Sequence, residues 1–131
     1  MINCIFVGIG GFIGAVLRYL ISLLPIKNPA SFPTNTLIIN IVGALAIGFI
    51  AYATSKNQSI DSRLLLFLKV GICGGFTTFS TFSLETARLI KDGSIGLALI
   101  YILVSVIFGV AGAMLPQLIL KYNNTKKCLT V

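Results

Sequence analysis

The chain has 131 residues, 56% of them apolar and 10% charged, with a formal net charge of +7 and a mean hydropathy of +1.01. A soluble domain keeps roughly a quarter of its residues charged, so the thirteen charged side chains here (10 basic and 3 acidic) cannot build a water-facing surface. The lack of histidine removes the commonest general base and metal ligand, which leaves enzymatic readings weak. The basic residues flank apolar tracts, a pattern that suits lipid headgroups and gives no sign of nucleic acid.

Four tracts carry no charge: residues 1–17, 28–55, 70–84 and 93–120. A hydrocarbon core about 30 Å thick takes about 20 helical residues to cross. Each tract, modestly extended, therefore supplies one crossing, and residues 1–131 are expected to form a single all-α transmembrane domain of four helices. Helix 1 is expected over residues 2–24. It lacks a basic n-region and cleavage site and is long enough to span, so it reads as a membrane helix, not a signal peptide. Three prolines in residues 25–33 make that segment a loop. Helix 2 follows over residues 35–53, and the polar residues 54–62 form a second loop. Helix 3 covers residues 63–90, Lys91-Asp92-Gly93 makes a tight turn, and helix 4 covers residues 95–120. Residues 121–131 read as a polar, mobile tail.

Four crossings place both termini on one side, which carries six cations: Lys56, Arg63, Lys69, Lys121, Lys126 and Lys127. The other side carries four: Arg18, Lys27, Arg88 and Lys91. The positive-inside rule acts on this small difference. It is compatible with insertion in both orientations, and hence an antiparallel dimer, or with a single orientation and cytoplasmic termini. Cys4, Cys73 and Cys128 are widely spaced and form no metal-type pair; packing suits Cys4 and Cys73. Small residues recur at helical spacing: Gly10 and Gly14, Gly11 and Ala15, Gly71 and Gly75, Gly109 and Ala113. Such positions let helices approach closely in lipid, which implies a tight bundle and an oligomer.

Polar groups at bilayer depth are costly and mark function. Thr36 and Asn40 share a face of helix 2 with Gly43. Asn40 either bonds a neighbouring helix or donates to a permeating anion. Tyr101 and Ser105 repeat the i, i+4 spacing on helix 4, with the same two alternatives. Helix 3 holds the run Gly71-Ile72-Cys73-Gly74-Gly75-Phe76-Thr77-Thr78-Phe79-Ser80-Thr81-Phe82-Ser83. Paired glycines followed by two β-branched threonines make poor helix, so an interruption is expected near residues 74–78, against the alternative of a simple bend. Broken backbone at membrane depth persists only when buried in protein or lining a cavity, and its carbonyls could ligate a monovalent cation. Beyond Thr78, Phe79, Phe82, Ser83 and Thr86 share one face. Rings there would ordinarily pack, yet their electropositive edges, beside hydroxyl donors, could hold a small dehydrated anion. Glu85 is the one acid within a span.

These motifs resemble the Fluc (CrcB) family of fluoride channels. Gly10-Gly11-Phe12-Ile13-Gly14-Ala15-Val16-Leu17-Arg18-Tyr19 resembles the family's opening stretch, G-G-x-x-G-A-x-x-R-Y. Thr36-Leu37-Ile38-Ile39-Asn40-Ile41-Val42-Gly43 resembles T-L-x-x-N-x-x-G of its second helix. Residues 74–83 match its third-helix motif, G-G-F-T-T-F-S-T-F-S, throughout. The resemblance runs from about residue 10 to 109. It implies an antiparallel dual-topology dimer in the cell membrane with two pores, passing fluoride passively out of the cytoplasm and so lowering its toxicity. It also implies a central structural Na⁺ held by backbone carbonyls of both subunits, here those of Gly74 and Thr77. Asn40, Phe79 and Phe82 match pore positions, with Ser83, Tyr101 and Ser105 beside them. Arg18 matches an arginine that could draw anions to a pore mouth, and Thr36, Ser80, Thr81 and Glu85 fall in the pore or its vestibule. Asn35 departs from the family's usual glycine. The partner subunit is a second copy of this chain or a paired homologue.

Two other classes compete on the residues. A proton-coupled small multidrug transporter needs an embedded carboxylate in helix 1, and helix 1 has none. A non-transporting assembly subunit would explain the glycines but not the polar faces.

Overall fold

The computed structural model describes residues 1–26, 32–57 and 59–129, with side chains through residue 120. Helix α1 spans Ile2–Ser22 and α2 spans Thr34–Lys56. The third crossing comprises α3 (Ser62–Leu65), a π-helical stretch Leu66–Cys73, α4 (Gly74–Phe76) and α5 (Phe79–Lys91). The last helix, α6, runs Ile95–Leu129 with Pro116 inside it. Four segments, Ile2–Ser22, Thr34–Lys56, Ser62–Lys91 and Ile95–Leu120, are long and apolar enough to cross a membrane. The chain is an all-α, multi-pass membrane protein.

The helix ends follow local chemistry. Helix α1 stops at Ser22, two residues short of the expected end, because Pro25 disfavours helical backbone just before it. The carbonyls left over there are met by the Asn35 carboxamide, which donates to Ser22 and Leu24 at 3.1 Å each. The turn after α5 closes as expected. Gly93 takes φ +78°, a value a side chain resists, while the Ser94 amide reaches back to the Leu89 carbonyl at 2.9 Å. Two other helices run past the end read from the sequence. Helix α2 continues to Lys56, and α6 continues through Leu129 where a mobile tail from residue 121 was expected. Residues 121–129 contain neither glycine nor proline to end the helix.

Glycines set the packing. A Cβ on Gly10 would meet the Phe67 carbonyl oxygen at 2.5 Å, and one on Gly75 would meet the Gly11 carbonyl oxygen at 2.5 Å. A Cβ on Gly14 would collide with the Ile72 carbonyl oxygen. The backbones of α1 and the third crossing therefore touch, which in lipid supplies the dispersion that replaces hydrophobic burial. On the other side, Gly48 lies against Ala113 of α6, at 2.5 Å from its carbonyl oxygen to the added Cβ. Gly109, expected to share a helix-contacting face with Ala113, meets nothing within 4 Å. The buried apolar cluster is small: Leu89, Ala98 and Tyr101, flanked by Phe32, Leu37, Phe82 and Leu97. Long rows of exposed Leu, Ile and Val elsewhere suit a lipid solvent.

Gly14→Val should destabilise the fold by about 1–3 kcal/mol or more, the usual cost of overpacking a filled contact. Gly8→Ala, where an added Cβ meets nothing within 4 Å, should change stability by less than about 1 kcal/mol. Thermal unfolding in detergent compares the two.

Candidate functional site

In the third crossing, Gly74 keeps helical backbone at φ −66°, ψ −37°. Thr77 and Thr78 do not: they take φ −74°, ψ 155° and φ −146°, ψ 110°. The paired glycines thus stay helical, and extended backbone is confined to the two threonines. Thr78 then caps α5, its Oγ1 accepting from the Thr81 amide at 3.2 Å. The same hydroxyl donates to Thr81 Oγ1 at 3.0 Å and lies 3.2 Å from Ser80 Oγ.

Extended backbone inside a membrane must find partners within the protein. Asn40 of α2 provides them. Its Oδ1 accepts from the Thr78 amide at 2.9 Å, and its Nδ2 donates to the Thr78 carbonyl at 3.2 Å. One turn along, Gly43 leaves the room that Thr77 Cγ2 fills, since a Cβ there would collide with that methyl. The interhelical hydrogen bond and the donor role once left as alternatives for Asn40 are compatible, because its Nδ2 carries a second hydrogen.

Around this clamp lies a groove of about 360 Å³. Asn40, Gly43, Ala44 and Ile47 line it from α2; Lys69, Cys73, Gly74, Thr77, Thr78, Phe79 and Phe82 from the third crossing; Ser105 and Val106 from α6. Ser105 Oγ is buried with no hydrogen-bond partner among the described residues. Phe79 is 78% exposed beside it in the single chain, a large ring presented to whatever completes the groove. Phe82 packs at 5.7 Å from Phe79 and 5.1 Å from Tyr101, centroid to centroid.

A second polar cluster lies behind Phe82. Thr36 Oγ1 donates to Glu85 Oε1 and Tyr101 Oη to Glu85 Oε2, each at 2.8 Å. Thr36 and Tyr101 are buried, and Phe32 covers the tyrosine edge-on at 5.4 Å. Glu85 does not line the groove, and each of its oxygens is occupied by a hydroxyl.

The structure therefore gathers Asn40, Gly74, Thr77, Phe79, Phe82 and Ser105 of the expected residues into one groove, and Thr36, Glu85 and Tyr101 into an adjoining cluster. Ser83, exposed, bonds its own helix at the Phe79 carbonyl (2.9 Å). Ser80 and Thr81 belong to the α5 cap, and Arg18, half-buried on α1, stands outside the groove. Sequence reasoning gave no role to Thr78, Phe32 or a groove-lining Lys69. A cation within the run Leu64-Leu65-Leu66-Phe67-Leu68-Lys69-Val70 was a visible signal; the roles of Thr78 and Phe32 depend on partners far along the chain.

The family model described as CrcB-like protein, Camphor Resistance (CrcB), matches residues 5–116. The chain belongs to the CrcB family. Curated relatives carry the name fluoride-specific ion channel FluC. That of Ruminiclostridium cellulolyticum is 45% identical over 122 residues, covering 92% of this chain and 94% of the relative. That of Clostridium perfringens (strain ATCC 13124) is 45% identical over 124 residues, covering 91% and 97%. That of Novosphingobium aromaticivorans is 49% identical over 119 residues, covering 88% and 94%. In this CrcB chain the groove and the glutamate cluster share one wall, Phe82.

Asn40→Leu should strand both backbone groups of Thr78 and cost about 2–6 kcal/mol, since each buried unpaired group costs about 1–3 kcal/mol. Denaturant unfolding in detergent measures it; a change within error would mean that Asn40 does not hold the third crossing.

Proposed function

We propose that this chain is one subunit of a passive fluoride channel that exports the ion across the cell membrane and thereby lowers its toxicity. The observation that carries this reading is the groove, where an unpartnered serine hydroxyl, a clamped asparagine and two phenylalanine rings meet at membrane depth. The names of the relatives support the ion's identity. The protein's work is then conduction, with no covalent chemistry.

Fluoride holds its hydration shell tightly, so a selective path has to replace that shell with donors while staying narrow. Ser105 Oγ and the second Nδ2 hydrogen of Asn40 supply conventional donors. The edges of Phe79 and Phe82 supply weak positive partners, which bind loosely enough to let the ion leave. Thr36 and Tyr101 tie down the Glu85 side chain, keeping it on the far side of Phe82 from the ion's route. Ser80, Thr81, Ser83 and Arg18 belong to the approaches and not to the narrow part.

A groove open along one side suits completion by a second subunit. The antiparallel dual-topology dimer, with a second copy or a paired homologue and two pores, is therefore part of the proposal, as is interruption of the third span as its functional core. A structural Na⁺ also fits the backbone. The amide that a continuous helix would aim at the Gly74 carbonyl, that of Thr78, goes to Asn40 instead. The amide due to the Thr77 carbonyl, that of Thr81, goes to the Thr78 hydroxyl. Gly74 and Thr77 thus offer carbonyl oxygens released from helical bonding, the hard donors that a monovalent cation takes; bound there, the ion would hold two subunits together by neutralising converging dipoles.

Phe82→Ile removes the ring while leaving an apolar side chain. Fluoride efflux from loaded liposomes, followed with a fluoride electrode, should fall to the protein-free leak while the variant keeps the wild-type size-exclusion profile. Undiminished flux would sink the ring-edge role.

A further inference from the structure

Lys69 stands out among the groove residues as the one charged side chain. It lies within the third crossing, seven residues past its start at Ser62, and is half-buried. No carboxylate pairs with it and it makes no hydrogen bond among the described residues. An unpaired cation at that depth is expensive unless it faces water or an ion. Its position along the groove follows from the packing. Gly43 lies against Thr77, and α2 runs antiparallel to the crossing that follows it. Moving from Gly43 to Ile47 on α2 therefore moves back from Thr77 toward Cys73 and Lys69. Side chains on a helix lean toward its N-terminus, which sends the lysine stem toward the Ser62 end. By that register Asn40 and Phe79 lie toward one end of the groove and Lys69 toward the other, with Ala44 and Ile47 between; all of them line it. The π-helical backbone of Leu66–Cys73 carries the lysine, and such local widening is frequent where a helix serves a site.

We propose that Lys69 is an anion-recruiting residue at the Ser62-side mouth of the groove, raising the local concentration of small inorganic anions before they reach the neutral donors. This rests on the channel reading. A fixed positive charge in a low-dielectric cleft concentrates anions through long-range attraction. Its effect fades as salt shortens the Debye length from about 30 Å at 0.01 M to about 3 Å at 1 M. The charge fixes how often an anion arrives; the asparagine, serine and rings fix which anion passes.

The test measures fluoride flux through wild type, Lys69→Met and Lys69→Arg in liposomes of neutral phosphatidylcholine, at ionic strengths of about 0.01 M and about 1 M. The methionine variant should conduct about three- to tenfold less than wild type at low ionic strength and within about twofold of it at high ionic strength. The arginine variant should match wild type at both. Lys69→Gln gives the same comparison if methionine misfolds by size exclusion. A lysine that only anchored the helix at the headgroups would leave the salt dependence unmoved. Equal wild-type and Lys69→Met flux at low ionic strength, or an equal loss at both, overturns the proposal and leaves the channel reading standing. Absence of wild-type flux at either salt sinks both.

Discussion

A single carboxamide answers both backbone groups of Thr78, and the rest of the site depends on that double hydrogen bond between α2 and the third crossing. Water cannot satisfy extended backbone in the hydrocarbon region, so Thr77 and Thr78 can leave the helical conformation only where another element takes over the pairing. Asn40 does so from one face of α2. Three residues on, Gly43 makes the space into which Thr77 projects, and four residues back Thr36 reaches Glu85. One helical face thus supports the backbone, gives it room and restrains the neighbouring acid. Losing the first or the second would let the extended residues slide, since neither has a duplicate among the described residues, whereas Tyr101 also holds the acid.

Close packing fixes α2 against this backbone from the outside. Helix α1 meets the π-helical stretch and α4 through glycines on both partners, with backbone against backbone. Helix α6 meets α2 at Gly48 and Ala113. Between these two contacts the third crossing is wedged rather than buried in a conventional core, which is why so few apolar side chains are fully covered. Lipid covers the remainder at little cost, because transfer from lipid to protein interior gains almost nothing in hydrophobic free energy.

The four crossings were legible because a charged side chain is costly in hydrocarbon, so charge-free tracts of sufficient length mark them directly. The spacing of Gly10 with Gly14 and of Gly71 with Gly75 also indicated which faces touch. Less could be read where the partner is remote. Asn35 differs from the glycine usual in the family, and sequence alone gave that no meaning; its carboxamide caps the end of α1, eleven residues upstream at the nearest carbonyl. The π-helical stretch left no trace either, since Leu66-Phe67-Leu68-Lys69-Val70 has the composition of ordinary α-helix. It lies against Gly10 and Gly14 of α1. The i, i+4 spacing correctly set Tyr101 and Ser105 on one helix face, yet it could not tell that one hydroxyl is occupied and the other is not.

That difference between the two hydroxyls divides the polar groups into two kinds. Tyr101 donates to a carboxylate 16 residues earlier in the chain and is fully buried, while Ser105, one turn along, has no partner among the described residues and faces the groove. Around Glu85 the donors are consumed, so that cluster holds shape and has nothing left to offer a passing ion. On the groove side the asparagine has one hydrogen and the serine a whole hydroxyl uncommitted, which costs stability unless something transient accepts them. Phe82 separates the two regions. Its ring contacts Tyr101 on one side and lines the groove on the other, so it stands between the acid and the groove. A structural network and an uncommitted polar surface can then share one thin bundle, provided an aromatic wall keeps the satisfied groups apart from the unsatisfied ones.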